Sequence, residues 1–190
     1  MKKDMGGAAQ VIGLAQMIMQ AKLPLRLMVL CPAVENAIDA KSYRPGDVVR
    51  MRNGLHVEID NTDAEGRVIL ADALAYACEQ QPELIIDIAT LTGAARVAVG
   101  TDISALFSNQ DALAQELVQL GRVHQDAIWQ LPLYQPYNSM LDSSIADMTN
   151  STASSYAGAI TAALFLQRFV SPQVTWLHFD LMAWNVSSKP

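Results

Sequence analysis

Short, nearly continuous apolar runs alternate along this chain with stretches whose apolar residues recur every three to four positions, and that alternation restricts the fold more than any other feature. Val11, Leu14, Ala15, Ile18 and Met19 form a one-sided stripe that predicts a helix over 6–21, starting near Asp4 or Met5. Leu25 to Cys31 reads as a strand buried on both faces. Val48 to Met51 and Leu55 to Ile59 flank Arg52-Asn53-Gly54, and Asn-Gly between alternating apolar residues signals a hairpin. A helix from Val68 to Glu79 precedes Pro82 and a second buried-strand candidate, Leu84 to Ala89, an order that suggests a right-handed crossover. Val97 to Val99 and Ile103 to Phe107 read as further strands, Ala112 to Arg122 and Ala157 to Phe169 as helices, and Val174 to Leu181 as a last strand. The pattern predicts an α/β domain of three layers, with a mixed, mostly parallel central sheet between helices. Asp142 to Tyr156, rich in Ser, Thr and Asn, is the one long polar loop.

With 190 residues, 51% hydrophobic and 17% charged, the chain has apolar material for one substantial core rather than two. A net charge of −6 without a run of Lys and Arg argues against a nucleic-acid partner. Cys31 and Cys78 do not make a disulfide framework and read as buried thiols. The start carries no charged-then-apolar signal, and no apolar run reaches the roughly 18 residues of a spanning helix, so a soluble cytoplasmic protein without membrane contact is expected. His178, set between Leu177 and Phe179, reads as a satisfied core histidine, and His56 and His124 as surface residues. Trp129, Trp176 and Trp184 read as packing residues, and Met17, Met19 and Met28 as core fillers.

Chemistry concentrates in Asn61-Thr62-Asp63-Ala64-Glu65-Gly66-Arg67. Carboxylates at i and i+2 fall on the same side of an extended segment and repel unless a cation lies between them. The guanidinium two residues on keeps its proton and can hold a developing negative charge. A simpler reading competes: Thr62 or Asp63 caps the following helix, with Glu65 favourable at its positive end, and Asp4 caps the first helix. In sheets of this kind ligands sit at the carboxyl ends of strands, and the loops beginning at Asn61 and Thr90 each follow a strand candidate, so the two can face one another.

The string from Asn61 to Arg67 resembles the signature of the leucyl (cytosol) aminopeptidase family, the M17 dinuclear metallopeptidases. Lys3 to Ala9, Tyr43-Arg44-Pro45-Gly46-Asp47 and Ala89-Thr90-Leu91-Thr92-Gly93-Ala94 are similar to further segments of that family, as are Trp129 to Leu133, Ala146-Asp147 and Gly158 to Ala162. The likeness covers nearly the whole chain in order. It implies that residues 1–190 are a partial C-terminal catalytic domain, incomplete at both ends, without the N-terminal domain and without the upstream stretch that brings a lysine and an aspartate to the metals. It further implies that Asp4, Asp63 and Glu65 ligate a pair of divalent ions, Glu65 bridging them. Ligation by oxygen without histidine suits Mn²⁺ or Mg²⁺, while the resemblance favours Zn²⁺.

The reaction so implied is attack of a metal-activated water on the first peptide carbonyl of a substrate with a free amine. Arg67 would hold a proton-shuttling bicarbonate or stabilise the gem-diolate. Thr90, Leu91 and Gly93 would contact the peptide, and Met1 would line the pocket for its first side chain. A homo-hexamer is the assembly expected. A second reading keeps the fold and the oligomer surface without the chemistry, as a non-catalytic assembly module. A third, Mg²⁺-dependent phosphoryl transfer, lacks a glycine-rich loop ending in Lys-Ser or Lys-Thr.

Overall fold

The computed structural model describes residues 2–184, with side chains from Asp4 onward. Helix α1 (Gly6–Gln20) is followed by a long irregular segment and a hairpin, β1 (Val48–Arg50) and β2 (His56–Glu58). Helix α2 (Glu65–Glu79), β3 (Leu84–Ala89), α3 (Gly93–Val99), β4 (Ser104–Ser108), α4 (Asp111–His124) and β5 (Ile128–Gln130) come next. The chain closes with β6 (Met148–Thr149), α5 (Gly158–Gln167) and β7 (Thr175–Asp180).

Four strands form the main sheet in the order β3-β7-β4-β5. β3 and β7 run parallel, as do β4 and β5, while β4 and β7 are antiparallel, so the sheet is mixed with parallel pairs in the majority. The last strand in sequence sits in the middle, and its side chains face helices on both sides. Trp176 packs among Val68, Ala71 and Leu74 of α2 and Leu164, Phe165 and Leu166 of α5. On the other face Leu177 joins Leu106 and Ala114, with Leu113 and Leu117 of α4 beside them. This is the three-layer arrangement that the alternation predicted. Helix α5 is apolar around its whole circumference, and a helix of that kind belongs in an interior. Phe165 has no exposed surface, so its truncation to alanine costs about 3–5 kcal/mol.

A second, small sheet has the order β1-β2-β6. Its hairpin turns at Asn53-Gly54, where Gly54 takes φ 93° and the Gly54 amide donates to the Met51 carbonyl at 2.9 Å. Because β2 and β3 lie in different sheets, α2 is not the crossover of one βαβ unit: it carries the chain from one sheet to the other.

Several local expectations are corrected. Leu25 to Cys31 forms no ladder; its apolar side chains, Leu25, Leu27 and Met28 among them, are exposed and no strand lies beside it among the described residues. Val97 to Val99 is the last turn of α3, ended by Gly100 at φ 81°, because Thr92 caps a helix that starts before the apolar triplet. Met17, Met19 and Met28 are exposed rather than core fillers, as are Trp129 and Trp184. Cys31 is exposed and Cys78 only partly buried. Trp176 alone of the three tryptophans is fully interior.

Glycine decides where α1 sits. A Cβ on Gly7 would lie 2.3 Å from the Ile88 carbonyl oxygen, and one on Gly6 2.0 Å from Ala183 Cβ and 3.0 Å from Thr90 Cγ2. Only bare backbone fits there, so the pair Gly6-Gly7 docks the start of α1, and with it Asp4, against the carboxyl end of β3.

Candidate functional site

Two loops meet at this end of the molecule. The first opens with Asn61 in extended conformation, whose side chain accepts from the Asp63 amide at 2.9 Å and caps a short 3-10 turn over Thr62–Ala64. That turn runs directly into α2, which has no side-chain cap of its own, so Asn61, rather than Thr62 or Asp63, does the capping. Likewise α1 has Met5 at its cap position with no side-chain bond, and Asp4 lies in the turn before it. Asp63 is exposed, while Glu65 is half-buried and accepts from Asn36 Nδ2 at 2.8 Å. The second loop follows β3, and Thr92 begins α3 by accepting from the Ala95 amide at 3.0 Å. A Cβ on Gly66 would stand 3.8 Å from Leu91 Cδ1, an ordinary contact distance, so the loops are packed on each other.

Each loop is held from behind by one buried polar residue far away in sequence. Asn150 is fully buried and its amide clasps the first loop: the Asp60 and Asn61 backbone amides donate to Asn150 Oδ1 at 2.9 and 3.1 Å, and Asn150 Nδ2 donates to the Asn61 carbonyl at 2.8 Å. Its own carbonyl accepts from Arg67 Nη1 at 2.9 Å and so aims the guanidinium. Asp180 clasps the second loop. The Leu91 and Thr92 amides donate to its Oδ1 at 2.9 and 3.0 Å, and the Thr92 hydroxyl donates to its Oδ2 at 2.5 Å.

The electrostatics follow from burial. Loss of solvent pulls the Arg67 guanidinium below its ordinary value, and the negative charge of Asp180 opposes that. Burial lifts the Asp180 carboxyl above the usual range, restrained by the charge of His178 and by the bonds from Thr92 and Leu91. The Tyr43 phenol is raised by burial and by the charge of Glu65, and its hydroxyl has no partner among the described residues.

Of the residues singled out from sequence, Asp63 lies in the first loop with Glu65 and Arg67 in the first turn of α2 that continues it, Leu91 lies in the second loop with Gly93 at the start of α3, and Thr90 meets the start of α1 near Asp4. Met1 lies outside the described residues. The carboxylates are hard oxygen donors of the right type for a divalent cation. In number they fall short by themselves: among the described residues no three His, Cys, Asp or Glu side chains are gathered closely enough to hold a metal ion. Sequence reasoning missed Asn36, Asn150 and Asp180, which act over separations of 29, 89 and 88 residues. The only local signal was the polar character of the loop in which Asn150 lies.

The mixed sheet, the glycine-docked helix and two clasped loops at the strand ends define an α/β domain whose candidate site lies in the loops at the carboxyl ends of its strands. The catalytic-domain model of the cytosol aminopeptidase family matches residues 1–190, and the chain belongs to that family. It is 50% identical over 187 residues to a probable cytosol aminopeptidase of Syntrophotalea carbinolica, which covers 97% of this chain and 37% of that protein. It is also similar to the crystal structure of a cytosol aminopeptidase from Coxiella burnetii, with 60% identity and a TM-score of 0.96 over 100% of this chain and 42% of that one. The bottromycin maturation enzyme BotP, solved in complex with Mn, matches with 42% identity and a TM-score of 0.89, covering 95% of this chain and 40% of its own. The chain thus spans well under half the length of these relatives. Among the described residues no helix is long and apolar enough to cross a membrane.

Proposed function

We propose that this chain carries part of the catalytic centre of a metal-dependent aminopeptidase, which removes the first residue from peptides with a free N-terminus. The observation that supports it most is the packing of the Asn61–Arg67 turn onto the Leu91–Gly93 loop, because it sets two carboxylates and a half-buried guanidinium beside a ready-made backbone surface. Asp4, Asp63 and Glu65 are the residues that would hold divalent ions, Zn²⁺ or Mn²⁺ before Mg²⁺, together with ligands from elsewhere in the protein. When bound, such ions supply an activated water and polarise the scissile carbonyl.

The chain's own residues do the rest. Arg67, desolvated and fixed through the Asn150 carbonyl, offers a rigid positive charge to the oxyanion that develops at the attacked carbon, or to a bicarbonate that shuttles the proton. Thr90, Leu91 and Gly93 present the peptide-binding edge. Leu91 cannot drift, since its amide is tied to Asp180. Exposed Met17, Met19, Leu25, Leu27 and Met28 form apolar surface that suits association, and a hexamer in the cytoplasm is the assembly we infer.

Calorimetric titration of the 190-residue chain with Zn²⁺ or Mn²⁺ tests the ligand set. At most one site of useful affinity is expected, and Asp63→Asn should abolish it. Two tight sites per chain, or affinity unchanged in Asp63→Asn, would overturn the assignment.

A further inference from the structure

Behind the second loop lies a row of buried charge that the proposed chemistry does not use. Asp87 of β3 stands opposite His178 of β7 in the strand register, and Asp180 lies two residues further along β7 on the same face. All three are interior: His178 has 0% exposed surface, Asp180 1% and Asp87 6%. His178 Nδ1 is 2.5 Å from Asp87 Oδ1, and Trp176 Nε1 donates to Asp87 Oδ2 at 2.6 Å. The imidazole is stacked between the rings of Phe107 and Trp176, with centroids 5.7 and 5.8 Å away. Its Nε2 has no partner among the described residues.

Two carboxylates buried on one sheet face cannot both stay ionised unless a cation stands between them. Arg67 lends its charge to Asp180 from the α2 side, and the ion-pair partner of Asp87 is His178. We propose that His178 is a positioning residue: held as an imidazolium by Asp87, it keeps Asp180 ionised, and ionised Asp180 keeps the Leu91–Thr92 amides in place for the peptide. The assignment of those amides to peptide binding rests on the function proposed above; the electrostatic relation among the three side chains does not.

The groups facing the imidazole from each packed element favour the charged form on balance. Burial opposes it, while Asp87 through both charge and hydrogen bond, and Asp180 through charge, outweigh burial and the repulsion of Arg67, so that His178 holds its proton above the ordinary histidine range. β4 contributes only the uncharged Phe107. A neutral imidazole with its proton on Nδ1 is the competing state. It would keep the bond to Asp87 and leave an unpartnered Nε2 lone pair where the imidazolium leaves an unpartnered N–H, but it would give Asp180 no positive charge.

The chain has three histidines, so nitrogen-15 labelling of histidine resolves His56, His124 and His178 separately in long-range nitrogen–proton spectra. Both ring nitrogens of His178 should carry protons at about pH 7.5, one unit above the ordinary histidine value. A singly protonated ring at that pH would overturn the proposal, and this arm needs no substitution. In His178→Gln, the pH midpoint followed through the Leu91 and Thr92 amide shifts should rise by about one unit or more, a tenfold or greater gain in the proton affinity of Asp180. A histidine that only fills space would lower stability and leave that midpoint where it was, which would likewise refute the positioning role. Neither readout involves metal, peptide or turnover, so failure of the aminopeptidase reading would leave both arms standing.

Discussion

The two loops of the site are secured by the same device in two chemical versions. Asn150 holds the Asn61 loop with an uncharged amide that both accepts and donates, while Asp180 holds the Leu91 loop with a carboxylate that only accepts. Each clasp is buried and reaches its loop across about as much sequence, and each is met by the same guanidinium: Arg67 donates to the Asn150 carbonyl and feels the charge of Asp180. The difference is one of proton linkage. An amide clasp has no titration and works alike at any ordinary pH. A carboxylate clasp binds more strongly per bond, but it requires that a buried charge be maintained by neighbours. The loop carrying the chemistry-bearing residues is thus fastened by the insensitive clasp, and the loop presenting backbone to a peptide by the sensitive one.

The element common to both clasps gives the largest expected effect. In a protein carrying this sequence with the flanking segments its relatives have, Arg67→Ala should lower kcat on an aminoacyl anilide by the equivalent of about 2–4 kcal/mol while KM changes little, since the charge acts mainly in the transition state. Steady-state kinetics decide this, and an unchanged kcat would reduce Arg67 to a link between clasps. Asn150→Ala should destabilise the fold by about 2–3 kcal/mol, because the Asp60 and Asn61 amides lose their acceptor inside the protein. In denaturant titrations that loss should be the same at pH 6 and pH 8. A pH-dependent loss would break the contrast between an uncharged and a charged clasp.

Stability of the unsubstituted chain should fall as the pH rises above about 6.5, the ordinary histidine value. The sign follows from His178: with a folded-state proton affinity above that of the unfolded chain, its contribution is complete below the unfolded value and disappears as pH climbs through the folded one. Asp180, raised by burial, has the same sign in the acid range: its contribution is present below the ordinary aspartate value and is lost as pH rises through its folded value. Melting curves of His178→Gln should lack the decline above pH 6.5; a decline of equal size in the variant would assign it elsewhere. The smallest effect belongs to the periphery of the first loop. Asn36→Ala removes an exposed bond to Glu65 and should cost about 0.5–1 kcal/mol, measured by the same denaturant titration, with no pH dependence near neutrality.

Residues whose role is local were legible before the fold was known. The hairpin over Asn53-Gly54, the helix that follows Asp63, the strand from Leu84 and the grouping of Asp63, Glu65 and Arg67 all depend on neighbours within a few positions. The local errors have one cause, which is that an apolar run does not say what it meets. Leu25 to Cys31 has the composition of an interior strand but finds no strand beside it among the described residues, and Val97 to Val99 has strand-like residues but is overruled by the Thr92 cap that starts a helix upstream. Met17 and Met19, two positions apart and so on opposite sides of α1, both stay exposed.

By itself, then, the order of residues determined the layered α/β class, the glycines at the start of α1 and the set of charged side chains available for chemistry, because these follow from periodicity and from what each side chain is. Tertiary structure alone decided which polar groups answer one another. That Asn150 faces Asn61, that Asp180 faces Leu91 and that Asp87 faces His178 depends on β7 and the β6 loop being inserted beside strands some ninety residues earlier in the chain. A buried hydrogen bond is specified by a position in space, and no local pattern encodes the partner of a lone Asn or Asp until the sheet order has placed it.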